Sequence, residues 1–246
     1  MSRDATAIEA RERPKKSRAA VVPSEASLLA ELEQDATKGA NPEAASEAPR
    51  RKRGRPAKQD KPAPAKESPI ERQRQQTLAE MLQEIPVVCD HGTKKNAKGY
   101  KVGWNGYKLH LDTADCGVPV SALLSSASMH DSRAAIPLSR ISAERVTHLY
   151  DLMDAAYCSK ALHEHCRELG HVPLIDHNPR GGEKEEFEPT DAVRYQERTV
   201  AERMNARLKD EFGGRSVMVR GSTKVMSHLM FGVLVLSADQ LMRLWS

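Results

Sequence analysis

Residues 194–209 read R-Y-Q-E-R-T-V-A-E-R-M-N-A-R-L-K. At a helical pitch of about 100° per residue, Tyr195, Arg198, Glu202 and Lys209 fall within roughly 60° of one another. An aromatic hydroxyl, two cations and a carboxylate then share one stripe of a helix. That combination suits a place where a metal ion and a phosphate backbone are held together. The ordinary reading of Arg198 and Glu202 is a solvated i,i+4 pair worth about 0.3–0.5 kcal/mol. Such a pair has no need of a tyrosine and a second cation in line with it. A second carboxylate, Asp154, closes an apolar run and is followed by Ala155-Ala156-Tyr157. A carboxylate at the C-terminal end of a central strand stands where α/β sheets place ligands, although an acid at a strand end is often merely exposed.

The elements that must position these groups are read from periodicity and punctuation. Met1 to Glu12 reads as the end of a strand or a turn. Glu25 to Glu33 is a short helix candidate, and Ile70 to Gln83 is a second, with Pro69 in its first turn. From Gly106, Tyr107, Leu109 and Leu111 alternate with Lys108, His110 and Asp112; Asp115-Cys116-Gly117 turns the chain, and Val118 to Leu124 returns. A short helix is expected within Ser132–Ile141 and a strand over Val146–Met153. A helix over Ser159–Leu169 is closed by Gly170, and a strand follows over His171–Ile175. One long helix should run from Thr190 to Phe212, stopped by Gly213-Gly214. A short extended piece over Val217–Arg220 and a final apolar helix complete the order. This predicts an α/β mixed sheet flanked by helices.

Composition divides the chain. The first eighty-odd residues are rich in Ala, Pro, Glu, Lys and Arg, which predicts a largely disordered, basic N-terminal segment before a globular remainder. The expected organisation is 1–10 as a first-strand remnant, 11–84 as a low-complexity basic insertion with short helices, and 85–246 as the folded domain. The net charge of +4 is modest, but the positive residues cluster in Pro49–Arg55 and Arg194–Lys209, a placement that favours polyanions. Arg53-Gly54-Arg55-Pro56 matches the core of an AT-hook, in which Arg53 and Arg55 would enter a narrow minor groove. The same four residues also suit a generic basic linker.

The four cysteines lack C-x-x-C spacing and follow no secretory leader, so a reduced, cytoplasmic protein is expected. Cys166 lies near His163 and His165, but those histidines would sit on different sides of a helix, and zinc is not expected there. Val225 to Leu244 is apolar but interrupted by His228, Ser237, Asp239, Gln240 and Arg243, which reads as a buried helix rather than a membrane span. His110 and His130 should be structural or should support the site residues from behind. Asp131 and Asp176 are further carboxylates near strand ends.

The spacing Tyr195, two residues, Arg198, three residues, Glu202, six residues, Lys209 resembles the YREK signature of DDE transposases of the bacterial insertion-sequence 4/5 superfamily. Asp154-Ala155-Ala156-Tyr157 is similar to that family's second-aspartate motif, and Gly106–His110 and Ser128–Ser132 resemble further segments of its catalytic domain. The resemblance spans about Cys89 to Leu244, with Asp4 to Glu9. It implies a ribonuclease-H-like core that binds two Mg²⁺ ions, with Mn²⁺ able to substitute, and cleaves and joins DNA strands at insertion-sequence ends. By that likeness Asp154 and Glu202 are metal ligands, Arg198 and Lys209 hold DNA phosphates, and Tyr195 packs beside them. For the first ligand, Asp4-Ala5-Thr6 resembles the family's D-S/G-T motif, and Asp90-His91-Gly92-Thr93 is a rival.

Relatives carry a helical DNA-binding region before the first aspartate. The expectation is therefore an N-terminally truncated chain whose first strand pairs poorly and leaves a raw sheet edge. An active enzyme would be a homo-oligomer at the bacterial nucleoid, without a membrane. The alternative is a truncated, inactive relative that binds DNA or interferes with an intact transposase. A third reading is a basic chromatin-type binding protein acting through Arg53-Gly54-Arg55 alone.

Overall fold

The computed structural model describes residues 1–14, 68–95, 98–179 and 183–246. Arg53, Arg55 and the helix candidate at Glu25–Glu33 lie outside the described residues.

The first strand, β1 (Ser2–Glu9), lies inside the sheet rather than at an edge. It pairs antiparallel with β3 (Lys101–Thr113) from Ser2 opposite Thr113 to Glu9 opposite Gly106. On its other side it meets β5 (Tyr150–Met153) in parallel, at Ser2 and Leu152. The expected poorly paired strand with a raw edge is thus corrected: its partner lies about a hundred positions away, where local pattern does not reveal it. β4 (Pro119–Ser126) and β2 (Asp90–Lys95) pair antiparallel with successive halves of β3, and β6 (Val172–Ile175) pairs in parallel with β5. The order is β2-β3-β1-β5-β6, with β4 also on β3. This is a mixed α/β sheet flanked by helices, the ribonuclease-H-like class expected from the sequence. Gly106 is required at the junction, because its φ is +151° and a Cβ would lie 2.1 Å from the Ile8 carbonyl oxygen.

Strand alternation gives the two sheet faces different chemistry. One presents Ile8, Tyr107, Leu109, Leu111 and Leu124 to α6 (Thr199–Asp210) and α7 (Ser222–Trp245), which contribute Met204, Leu208, Val225, Leu229 and Leu236. The other carries Arg3, opposite Asp112, and fully buried His110. Arg3 donates Nε to Asp112 Oδ1 at 2.6 Å and Nη2 to Oδ2 at 2.7 Å. Ser142 of α3 (Ser132–Ala143) donates to the same carboxylate at 2.6 Å. So complete a set of partners is what makes a buried ion pair tolerable. Beside it Ile136, Met153, Leu162, Cys166 and Ile175 form an apolar cluster between the sheet, α3 and α4 (Lys160–Glu168).

Several boundaries differ from the sequence reading. The single helix expected over Ile70–Gln83 is two, α1 (Pro69–Gln75) and α2 (Leu78–Glu84), each opened by a reciprocal capping box, Ser68 with Glu71 and Thr77 with Glu80. Both lie against α3, where Gln73 Nε2 donates to the Arg133 carbonyl at 2.9 Å. The long helix expected from Thr190 to Phe212 is α5 (Pro189–Tyr195), a 3₁₀ turn at Gln196–Arg198, and α6. β2 was not foreseen, and β5 is shorter than Val146–Met153.

Helix α7 is not the buried helix expected. Val225, Leu229, Gly232 and Leu236 face inward, while Phe231, Leu234, Met242 and Trp245 are exposed. Among the described residues it is the one helix long and apolar enough by composition to cross a membrane. Gly232 lets it approach closely: a Cβ there would lie 2.5 Å from the Phe212 carbonyl oxygen. All four cysteines are free.

Candidate active site

Asp4 is opposite Leu111 in the β1–β3 register, so its side chain belongs to the face covered by α6. Asn205 of α6 donates Nδ2 to Asp4 Oδ2 at 2.9 Å, tying strand to helix beside the carboxylate. Burial pushes the Asp4 carboxyl up to about 6, and the charges of Asp154 and Glu202 push the same way against the bonds from Asn205 and the Ala5 amide. Asp154 follows the last residue of β5 and accepts from the Ala156 amide at 3.0 Å. Burial raises it as well; the Ala156 amide and Arg198 oppose that, and Asp131 and Glu202 add to it. Glu202 lies on the exposed side of α6 and accepts from Arg198 at 2.7 Å. The three carboxylates therefore share one electrostatic neighbourhood, but with Glu202 turned to Arg198 they do not form a closed ligand cluster.

Asp90 is placed differently. It stands at the start of β2, where both of its oxygens accept from Ser128, one from the amide at 2.9 Å and the other from the hydroxyl. It is not among the largest influences on the Asp4 or Asp154 carboxyl. Asp131 pairs with Lys108 at 2.8 Å, and Asp176 pairs with Lys184 at 2.9 Å.

Three residues of the helical stripe, Tyr195, Arg198 and Glu202, remain neighbours although the helix is interrupted. Tyr195 donates its hydroxyl to the Met153 carbonyl at 3.0 Å, which fastens the end of α5 to the residue preceding Asp154. Phe187 packs on its ring with centroids 4.7 Å apart, and the Arg198 guanidinium lies 5.7 Å from that ring's centre. Burial pushes the Tyr195 hydroxyl up to about 12, so it serves as a donor. Lys209 is held below the ordinary lysine value by burial and by Lys94 and Arg215, against Asp4 and Glu9. Lys209 thus lies within electrostatic reach of both Asp4 and the cations Lys94 and Arg215.

Sequence reasoning passed over Asn205, Lys94 and Arg215. Asn205 carried a signal, since it lies three residues from Glu202 and an i,i+3 spacing brings both near one side of the helix. Lys94 had none, because its strand was not foreseen. His110, expected to be structural, is fully buried, bonds Ser125 at 2.8 Å, and is pushed down to about 4 by burial.

The donor set fits a hard divalent cation. Three carboxylates repel one another there, and Asn205 Oδ1 is buried with no partner beside Asp4. Asp4 stands in the first half of central strand β1, Asp154 follows the end of its neighbour β5, and Glu202 stands on α6, the helix that also carries Lys209. A family model described as the transposase DDE domain matches residues 69–237, and the chain belongs to that family. The matched stretch carries Asp90, Asp154 and Glu202, while Asp4 precedes it. No curated protein sequence matches the chain.

Proposed function

We propose that the protein cleaves DNA at insertion-sequence ends and transfers the cut strands, with Asp4, Asp154 and Glu202 as the carboxylates that bind two Mg²⁺ ions. The observation that carries this reading is the buried Asp4 tied by Asn205 to the helix that bears Glu202, with Asp154 close enough for its charge to act on it. Burial raises the Asp4 carboxyl first and the neighbouring carboxylates add to it, and a divalent cation bound among them would offset that repulsion. Bound there, two such ions supply the activated nucleophile and a stabilised leaving oxygen for in-line phosphoryl transfer, and Mn²⁺ can substitute.

The chain's own residues do the rest. Asn205 fixes one oxygen of Asp4, and the Ala156 amide fixes Asp154. Arg198 is bound to Glu202 by an i,i+4 pair of the kind worth about 0.3–0.5 kcal/mol, weak enough for Glu202 to turn to a cation and Arg198 to a phosphate. Lys209, with Lys94 and Arg215, lines the approach for DNA backbone. Tyr195 acts by position, holding α5 against the end of β5. Arg53 and Arg55 add minor-groove or phosphate contact, and the active form is a homo-oligomer working on DNA at the nucleoid.

Glu202→Gln tests the reading. On duplexes carrying the DNA that flanks the protein's own coding sequence, it should abolish Mg²⁺-dependent cleavage and leave gel-shift affinity nearly intact. Cleavage equal to wild type would sink the assignment. Gel-shift binding by the wild type without nicking in Mg²⁺ or Mn²⁺ would establish an inactive DNA-binding relative instead.

A further inference from the structure

At the opposite end of β5 from Asp154, three side chains from separate chain positions converge. His148 precedes the strand, Asp151 lies within it, and His171 stands just before β6. His148 Nε2 lies 3.0 Å from Asp151 Oδ1, and His171 Nδ1 lies 2.8 Å from Oδ2. The two imidazoles contact each other with centroids 4.0 Å apart. One donor atom from each residue falls within 4.8 Å of the other two. Ligand atoms around a tetrahedral zinc, with bonds of about 2.0–2.2 Å, are separated by somewhat over 3 Å, so a small adjustment accommodates the ion. Side-chain exposures of 10%, 1% and 9% make this an interior cluster rather than a patch of surface acids.

Charge makes the same point. Arg3 lies near Asp151, but its guanidinium is engaged by both oxygens of Asp112. Arg3, Asp112 and Asp151 together carry one more negative than positive charge in a buried region. A cation bound beside Asp151 would offset that surplus negative charge. Two imidazoles and a carboxylate form a borderline donor set that selects zinc over the magnesium suited to the all-carboxylate site.

We propose that His148, Asp151 and His171 form a structural zinc site that clamps the start of β5 to the start of β6, with water in the fourth position. It is independent of the DNA-cleavage reading, since none of its ligands belongs to the Asp4, Asp154 and Glu202 set. Its effect on that set is mechanical: it fixes one end of the four-residue strand whose other end leads into Asp154.

The test uses untagged, full-length protein stripped of metal and reconstituted with one equivalent of Zn²⁺ or Co²⁺. The wild type should retain one zinc per chain through gel filtration, melt at a higher temperature with zinc, and give the intense visible Co²⁺ spectrum of a tetrahedral site. His171→Gln should weaken zinc binding beyond the roughly 10–100-fold that loss of an outer-shell partner costs. Asp154→Asn should retain the zinc, which separates this site from the acidic one. Zinc content in the wild type no higher than in His171→Gln overturns the proposal. A pale, octahedral Co²⁺ spectrum from the wild type does so without requiring any variant to fold.

Discussion

Asp151 and Asp154 stand three residues apart, yet the protein treats them oppositely. Burial disfavours the charged form of both. At Asp151 the hydrogen bonds from His148 and His171, with Arg3 nearby, outweigh burial and hold the carboxyl well below its ordinary value. At Asp154 the single Ala156 amide and the Arg198 charge do not, and Asp131 and Glu202 push with burial to raise it. The difference lies in neighbours rather than depth. Asp151, held by two imidazoles, belongs to a mixed nitrogen and oxygen set, whereas Asp154, crowded by other acids, is a receptor for a hard cation.

The largest effect that would break this contrast is at the receptor end. Asp154→Asn should lower metal-dependent DNA cleavage by at least about 10³-fold, the scale on which one preorganised electrostatic group acts, while circular dichroism stays native. Retained cleavage would make Asp154 an ordinary strand-end acid. Next comes the satisfied interior. Arg3→Met should destabilise the protein by about 3–5 kcal/mol in urea unfolding, because Asp112 is left buried and unpaired. Arg3→Met combined with Asp112→Leu should recover most of that loss; no recovery would mean that packing, not charge, holds the region.

A smaller effect concerns pH. Asp4 has a folded value of about 6 against an ordinary value of 3.8, so the folded protein holds that proton more tightly than the unfolded chain. Stability from this group is fully present below 3.8 and is lost as pH rises through 6. Metal-free Asp4→Asn should therefore be more stable than wild type at pH 7, by on the order of 1–2 kcal/mol, with the gap closing at pH 4. A gap that persists unchanged at low pH would contradict the raised carboxyl. Asp151 behaves in the opposite sense, contributing stability above its ordinary 3.8 that is lost as pH falls below it. The smallest effect is Tyr195→Phe, which removes one hydrogen bond to the Met153 carbonyl and should cost about 0.5–1.5 kcal/mol. A larger loss would assign Tyr195 more than a fastening role.

What the sequence revealed and what it hid follow from the range of the forces involved. The Tyr107–Leu111 alternation, the turn at Asp115–Gly117 and the Gly170 helix stop are local, and all of them appear in the fold. The stripe of Tyr195, Arg198, Glu202 and Lys209 was legible because helical spacing is fixed by backbone geometry. Its interruption at Gln196–Arg198 was not, since no Gly or Pro marks it. The pairing of β1 with β3 is a contact across a long stretch of chain, and a remnant was expected where an eight-residue central strand stands. The polar side of β3 read like an ordinary hairpin face; the Arg3–Asp112 pair behind it requires knowing which strand lies alongside. Helical spacing argues against zinc at His163, His165 and Cys166. The structure instead gathers His148, Asp151 and His171, whose sequence separations match no short motif.

The central claim is that Asp4, rather than Asp90, completes the cation-binding carboxylates. The direct measurement is Mn²⁺ binding by calorimetry, alongside cleavage, for Asp4→Asn and Asp90→Asn. Asp4→Asn should lose both, and Asp90→Asn, whose carboxylate serves Ser128, should keep both within a few-fold. Loss of both in Asp90→Asn with retention in Asp4→Asn would contradict the account.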